Sequence, residues 1–157
     1  SLLLLTACGF TPMYGNMDND ALGGEDFLSY VAIANIPDRE GVYLRNALID
    51  RFHRNGSPLR NAYTLSIQNL QESRRNLDIT KSSDATRAQL IVSANIKLHD
   101  NITGEVLLDR NLQNIASYNI LGSEFATRIS RENTRLNALD GLARQIEMQL
   151  GLYFKRQ

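Results

Sequence analysis

The chain of 157 residues holds one cysteine, two histidines, three prolines and no tryptophan. A single thiol excludes an intramolecular disulfide, a cysteine-rich zinc site and a dithiol redox pair. His53 and His99 fall at a predicted helix end and near a predicted turn, so neither the ligand types nor the spacing of a metal site is met. Phosphate-cradling loops are missing as well. Gly104 and the pair Gly23-Gly24 do not lie between a strand and a helix in the required pattern. No serine stands in a nucleophile-elbow context, and the closely spaced acids are Asp18, Asp20, Glu25 and Asp26 near the N-terminus. The common catalytic constellations are therefore absent, and the chain reads as a non-enzyme without metal or cofactor. No apolar run approaches the about 20 residues of a membrane-spanning helix. Internal repeats and low-complexity tracts are also lacking.

What is present is ordinary globular material: 43% hydrophobic and 22% charged residues, in a length suited to one domain. The formal net charge is zero, with 17 acids and 17 bases, but the distribution is uneven. Residues 16–26 carry the four clustered acids and no Lys or Arg. Residues 27–157 are left with 13 acids against 17 bases, a net of +4. That suits an anionic partner but is far below the signature of a nucleic-acid binder, so no nucleic acid is expected.

Leu2-Leu3-Leu4-Leu5-Thr6-Ala7 is a short apolar run with a small-residue exit, the tail of a secretory signal. The stretch Leu5-Thr6-Ala7-Cys8 resembles the lipobox of bacterial lipoproteins, in which the cysteine takes a diacylglyceryl group and becomes the new N-terminus. The charged start of a signal is missing, so Ser1 is expected to lie inside a longer leader. Residues 1–7 are then a signal-peptide remnant, 8–26 a lipidated N-terminus with a flexible acidic tether, and 27–157 a single domain. Several acyl chains on Cys8 make a durable anchor, where one chain alone is marginal. Gly9 follows, in place of the Asp that favours inner-membrane retention in many lipoproteins, which leans toward the outer membrane.

Periodicity supplies the domain. Tyr30-Val31-Ala32-Ile33-Ala34 reads as a short strand ending before Pro37. Asp38 is the expected N-cap of a helix to about Phe52 or His53, with Leu44, Ala47, Leu48 and Phe52 on one face. Tyr63, Leu65 and Ile67 alternate with polar residues as a half-buried strand, and the polar stretch 71–83 reads as a loop. Ala88, Leu90, Val92, Ala94, Ile96 and Leu98 mark a longer strand, turned at 100–104 into a return from Val106 to about Tyr118. Ser123 caps a last helix whose predicted apolar stripe is Phe125, Ile129, Leu136, Leu139, Ala143, Ile146 and Leu150. The order β-α-β-β-β-α predicts an α+β two-layer sandwich, two helices packed on a four-stranded mixed sheet. Its first strand can lie parallel to a neighbour through a crossover helix.

The order of several motifs then points to a family. Cys8-Gly9-Phe10-Thr11-Pro12-Met13-Tyr14-Gly15 resembles the mature start of the alphaproteobacterial lipopolysaccharide-assembly lipoprotein LptE. Agreeing in order are Ile36-Pro37-Asp38-Arg39 with Gly41, Leu44-Arg45-Asn46-Ala47-Leu48, Asp84-Ala85-Thr86-Arg87-Ala88, Gly104-Glu105-Val106-Leu107 and Ser117-Tyr118. Thr11 departs from the family's usual Arg. The resemblance covers nearly the whole chain. It implies a non-catalytic outer-membrane lipoprotein on the periplasmic side that plugs an LptD-type β-barrel, helps deliver lipopolysaccharide and contacts it directly. The alternative is a periplasm-facing lipoprotein scaffold of another envelope complex.

Arg74, Arg75 and Lys81 in the polar stretch, with Arg87 after it, are the candidate contacts to lipopolysaccharide or a partner, because Arg pairs bidentately with phosphate. Glu72, Asp78 and Asp84 are interleaved and leave residues 72–87 at a net of +1, which is also the pattern of solvated surface. Arg128, Arg131 and Arg135 recur at helical spacing on the last helix, as a solvated face or a barrel-facing one.

Overall fold

The computed structural model describes residues 27–57, 60–79 and 85–157. Cys8, the tether and Lys81 lie outside the described residues. Six elements follow in the predicted order: β1 (Val31–Ile33), α1 (Asp38–Phe52), β2 (Tyr63–Ile79), β3 (Ala85–Asp100), β4 (Val106–Asn119) and α2 (Glu124–Lys155). The sheet order is β1-β2-β3-β4, with β1 parallel to β2 and the other pairs antiparallel. This is the α+β arrangement of two helices and a four-stranded mixed sheet that the periodicities predict.

One face of the sheet is apolar because the strands alternate. Leu65, Ile67, Ala94, Ile96, Leu98 and Leu108 meet Leu44, Leu48 and Phe52 of α1 and Leu139, Leu142, Ile146 and Leu150 of α2. Burial of each large side chain contributes about 1.5–3 kcal/mol. Ser123 caps α2 as expected, its Oγ accepting from the Ala126 N–H at 3.3 Å. At the start of α1 the expectation fails. Pro37 holds the N-cap position and makes no side-chain cap, while Asp38 is the first helical residue at φ 70°. The tight turn that tucks Ile36 beneath the helix requires a left-handed residue there, and Asp tolerates that conformation better than most.

Two further differences shape the functional end. The stretch expected as a loop from residue 71 is strand as far as Ile79, paired with β3 back to Ala85. The register slips between Gln68 and Gln71, and Asn69 adopts φ 53°. Asn69 and Leu70 together oppose Ala94, so one extra residue enters β2 as a bulge. Leu65 and Ile67 face the helices before the bulge, and Glu72 and Arg74 take that face after it. Phe125 and Ile129, predicted on the apolar stripe of α2, are exposed. At 1.5 Å per residue the 32-residue α2 is about 48 Å long and the 15-residue α1 about 22 Å. The first turns of α2 therefore run beyond the shelter of α1.

The molecule thus has two unlike ends. The tip comprises the ends of β2 and β4, the start of β3 and the first turns of α2. The opposite pole holds Phe27, the start of β2, the β3–β4 turn and the last turn of α2.

Candidate functional site

A second, smaller cluster of Ala88, Leu90 and Tyr118, with Ile120 against it, forms the inside of the tip. Tyr118 is 4% exposed, yet its hydroxyl has no hydrogen-bond partner among the described residues. Arg131 Nε on α2 is likewise buried without a partner. An unmet buried polar group costs about 1–3 kcal/mol. Both groups lie at this end of the molecule. Around them lie cations and apolar side chains together. The Arg74 guanidinium is 5.9 Å from the centre of the Tyr118 ring, and that of Arg128 is 5.6 Å from the Phe125 ring. Both distances are in the range of cation–π attraction. Phe125 is 65% exposed, and Leu121 and Ile129 are also open to solvent.

The arginines singled out in the sequence do not form one cluster. Arg74 pairs with Leu90 on the helix side of the sheet, whereas Arg75 pairs with Gln89 on the open side. Arg87 sits opposite Leu77 and Asn119, one diagonal step from Arg75 and on the same open face. All three belong to strands and not to a loop. Tyr118, Phe125 and Ile129 were not legible as site residues, because an aromatic at the end of a strand and a helical apolar stripe both read as core.

Arg135 has a different task from its neighbours on α2. Its Nη2 donates to Glu72 Oε1 at 2.9 Å, and further nitrogens bond Glu72 and Glu132. The Glu72 bond leads in raising its pKa, and the Arg135 bond leads in lowering that of Glu132. With a side chain only 17% exposed, Arg135 ties α2 to β2 and is neither solvated surface nor a docking cation. Beside it opens a groove of about 770 Å³, walled by Ile36, Asp38, Asn69 and Glu72 and floored by Ile67 and Leu139. It lies where β1 stops and the edge of β2 is uncovered.

The outer face of the sheet is polar but sparsely charged. Ser66, Gln68, Gln89, Ser93, Asn111 and Gln113 lie on it, and Asn95 Nδ2 donates to Asp109 Oδ1 at 2.9 Å and to Asn111 Oδ1 at 3.0 Å. Among the described residues no three His, Cys, Asp or Glu side chains are grouped to hold a metal ion. No described helix is long and apolar enough to cross a membrane.

Solved structures share this fold. A lipoprotein of Caulobacter crescentus superposes with a TM-score of 0.67 at 23% identity, covering 86% of this chain and 98% of its own. The minor lipoprotein of Acinetobacter baumannii gives 0.61 at 22% identity, covering 78% and 91%. The rare lipoprotein B of Shewanella oneidensis gives 0.54 at 12% identity, covering 76% and 92%. At these identities the likeness establishes the fold alone. No curated protein matches in sequence. The model of the LptE lipopolysaccharide-assembly family, however, matches residues 28–150, which is most of the chain. With the family model matching well over half of its length, the chain belongs to the LptE family of lipopolysaccharide-assembly proteins.

Proposed function

We propose that this protein is a lipoprotein anchored through Cys8 in the outer membrane, on its periplasmic side. There it plugs an LptD-type β-barrel and contacts lipopolysaccharide directly with its tip. The observation that carries the reading is the composition of that tip. Lipopolysaccharide sets phosphates beside acyl chains. The tip sets Arg74 and Arg128, and the unmet polar atoms of Tyr118 and Arg131, beside exposed Leu121, Phe125 and Ile129. A guanidinium pairs with phosphate through charge-assisted hydrogen bonds, about twice as strong as neutral ones. Arg75 and Arg87 add cations on the neighbouring open face.

The open face of the sheet supports this choice of partner. The interior of an outer-membrane barrel is polar, and a surface rich in Asn, Gln and Ser can hydrogen-bond it without desolvating many charges. Capture of the protein from envelope extract is expected to bring down a large β-barrel. Recovery of other envelope proteins without a barrel would instead favour a scaffold of a different complex.

A further inference from the structure

The pole opposite the tip carries an exposed isoleucine on a turn of unusual construction. Ile102, 80% exposed, stands between β3 and β4. Asp100 Oδ1 accepts from the N–H groups of Ile102 and Thr103 at 2.7 and 3.1 Å, and Asp100 O accepts from Gly104 N at 2.8 Å. Thr103 Oγ1 accepts from Glu105 N at 3.3 Å. Every backbone N–H from Ile102 to Glu105 is therefore satisfied within the turn. The turn is also stapled to the strands beneath it. Asn101 donates its N–H to Ala62 O at 3.0 Å and its Nδ2 to Asn61 O at 2.9 Å, and its Oδ1 accepts from Thr64 Oγ1 at 2.7 Å.

Satisfied donors and a rigid apolar apex lower the cost of bringing a turn to the membrane boundary, since an unmet N–H is costly away from water. In water the same arrangement gains nothing from leaving Ile102 exposed. The neighbours fit an interface. Val106 and Tyr30 are also exposed, and Tyr30 O accepts from Ala62 and Tyr63 N–H in the row that Asn101 joins. Phe27 stacks on Phe154 at 5.2 Å, and Tyr63 and Tyr153 surround the same ring. The Phe154 ring is buried, so these aromatics brace the pole from within, while exposed Tyr30 offers a ring with a polar tip to the boundary between lipid and water. Arg60, Lys155 and Arg156 stand against Asp100 and Glu105, a net of only +1, so attraction would be chiefly apolar and not electrostatic.

Where the preceding chain joins decides which surface meets this pole. Phe27 is the first described residue and belongs to the pole, and Cys8 lies 19 residues before it. A lipid on Cys8 thus holds the pole close to the bilayer at high effective concentration. We infer that, before it enters any complex, the lipoprotein rests this pole on the bilayer, with Ile102 inserted at the acyl–headgroup boundary and the tip held away from the membrane. The inference rests on the anchor in the proposed function but not on lipopolysaccharide contact.

The absence of tryptophan supplies a clean reporter. The mature lipoprotein carrying Ile102→Trp, and separately Phe125→Trp at the tip, would be reconstituted into phosphatidylcholine vesicles with lipid brominated along the acyl chain. Both should float with the vesicles. The Trp placed at 102 is expected to shift its emission to the blue and lose intensity to bromine, in high salt as in low. The Trp placed at 125 is expected to do neither. Flotation with equal quenching at the two positions, or with none at 102, overturns the inference and leaves the anchor standing. Failure to float removes the anchor and the inference together.

Discussion

The carbonyl oxygen of Ile36 lies directly against Gly41 in the first turn of α1. A Cβ on Gly41 would stand 2.8 Å from that oxygen and 2.7 Å from Ile36 Cγ2. Real side-chain carbons do not come so close to backbone. Gly41→Ala should therefore destabilise the domain by about 1–3 kcal/mol through overpacking. Helix propensity alone would favour Ala by about 1 kcal/mol. A chemical denaturation midpoint that rises in the variant would show that the connector at Ile36 yields freely.

The tip gives a test in which stability and binding move apart. Tyr118→Phe removes a buried hydroxyl that has no partner among the described residues, so the fold should be unchanged or gain up to about 1 kcal/mol. If that hydroxyl serves lipopolysaccharide, the same variant binds it more weakly. Arg75→Glu should leave stability within about 0.5 kcal/mol. Arg74→Glu should cost about 0.5–1 kcal/mol, since it also gives up the Tyr118 ring. A variant with Glu at Arg74, Arg75 and Lys81 is expected to keep its barrel partner and lose lipopolysaccharide affinity. Undiminished affinity in a binding titration would reduce these residues to solvated surface.

Acid should act through Glu132. The Arg135 bond holds its carboxyl below the ordinary glutamate value of 4.5, with Arg39 and Arg131 adding to the effect. A depressed folded pKa means stability that is complete above the unfolded value and lost as pH falls through the folded one. Thermal melts should therefore drop below pH about 4.5, and Glu132→Gln should flatten that part of the profile. An unchanged slope in the Gln variant would assign the acid sensitivity to other carboxylates.

Cys8→Ala should leave the folded domain intact and release it from the membrane, because every described element lies after residue 26. Mass spectrometry of membrane-extracted protein is expected to find a lipidated peptide starting at residue 8. An unmodified thiol on a peptide still containing Thr6-Ala7-Cys8 would exclude the anchor.

The elements legible in the sequence were those whose periodicity is unbroken. β3 alternates without interruption from Ala88 to Leu98, and Ser123 announces α2 with a capping side chain. The outer half of β2 was hidden for a physical reason. Its pairing partner lies on β3, whereas its own side chains there are mostly polar and exposed. Little in 71–79 demands burial, so the backbone ladder, helped by the Glu72–Arg135 pair, holds it as strand. The tip escaped notice because Phe125 and Ile129 obey helical spacing, and spacing alone cannot reveal that α1 is too short to cover them. The four arginine and lysine candidates stand out by charge, which carries no information about which side of a strand each occupies.

Strand β2 is, in effect, written in two reading frames. Odd positions speak to the helices as far as Ile67, and even ones do so from Glu72 onward. Deleting Leu70 would leave Asn69 alone opposite Ala94 and merge the two frames, while Glu72 would still oppose Val92 and Arg74 would still oppose Leu90. The bulge therefore absorbs one residue without moving any later side chain from its side of the sheet. Among natural relatives, loss of one residue at this point should thus leave the alternation of everything downstream as it is. A one-residue deletion inside the regular ladder, at Ser73 for example, would instead exchange the sides of the residues beyond it.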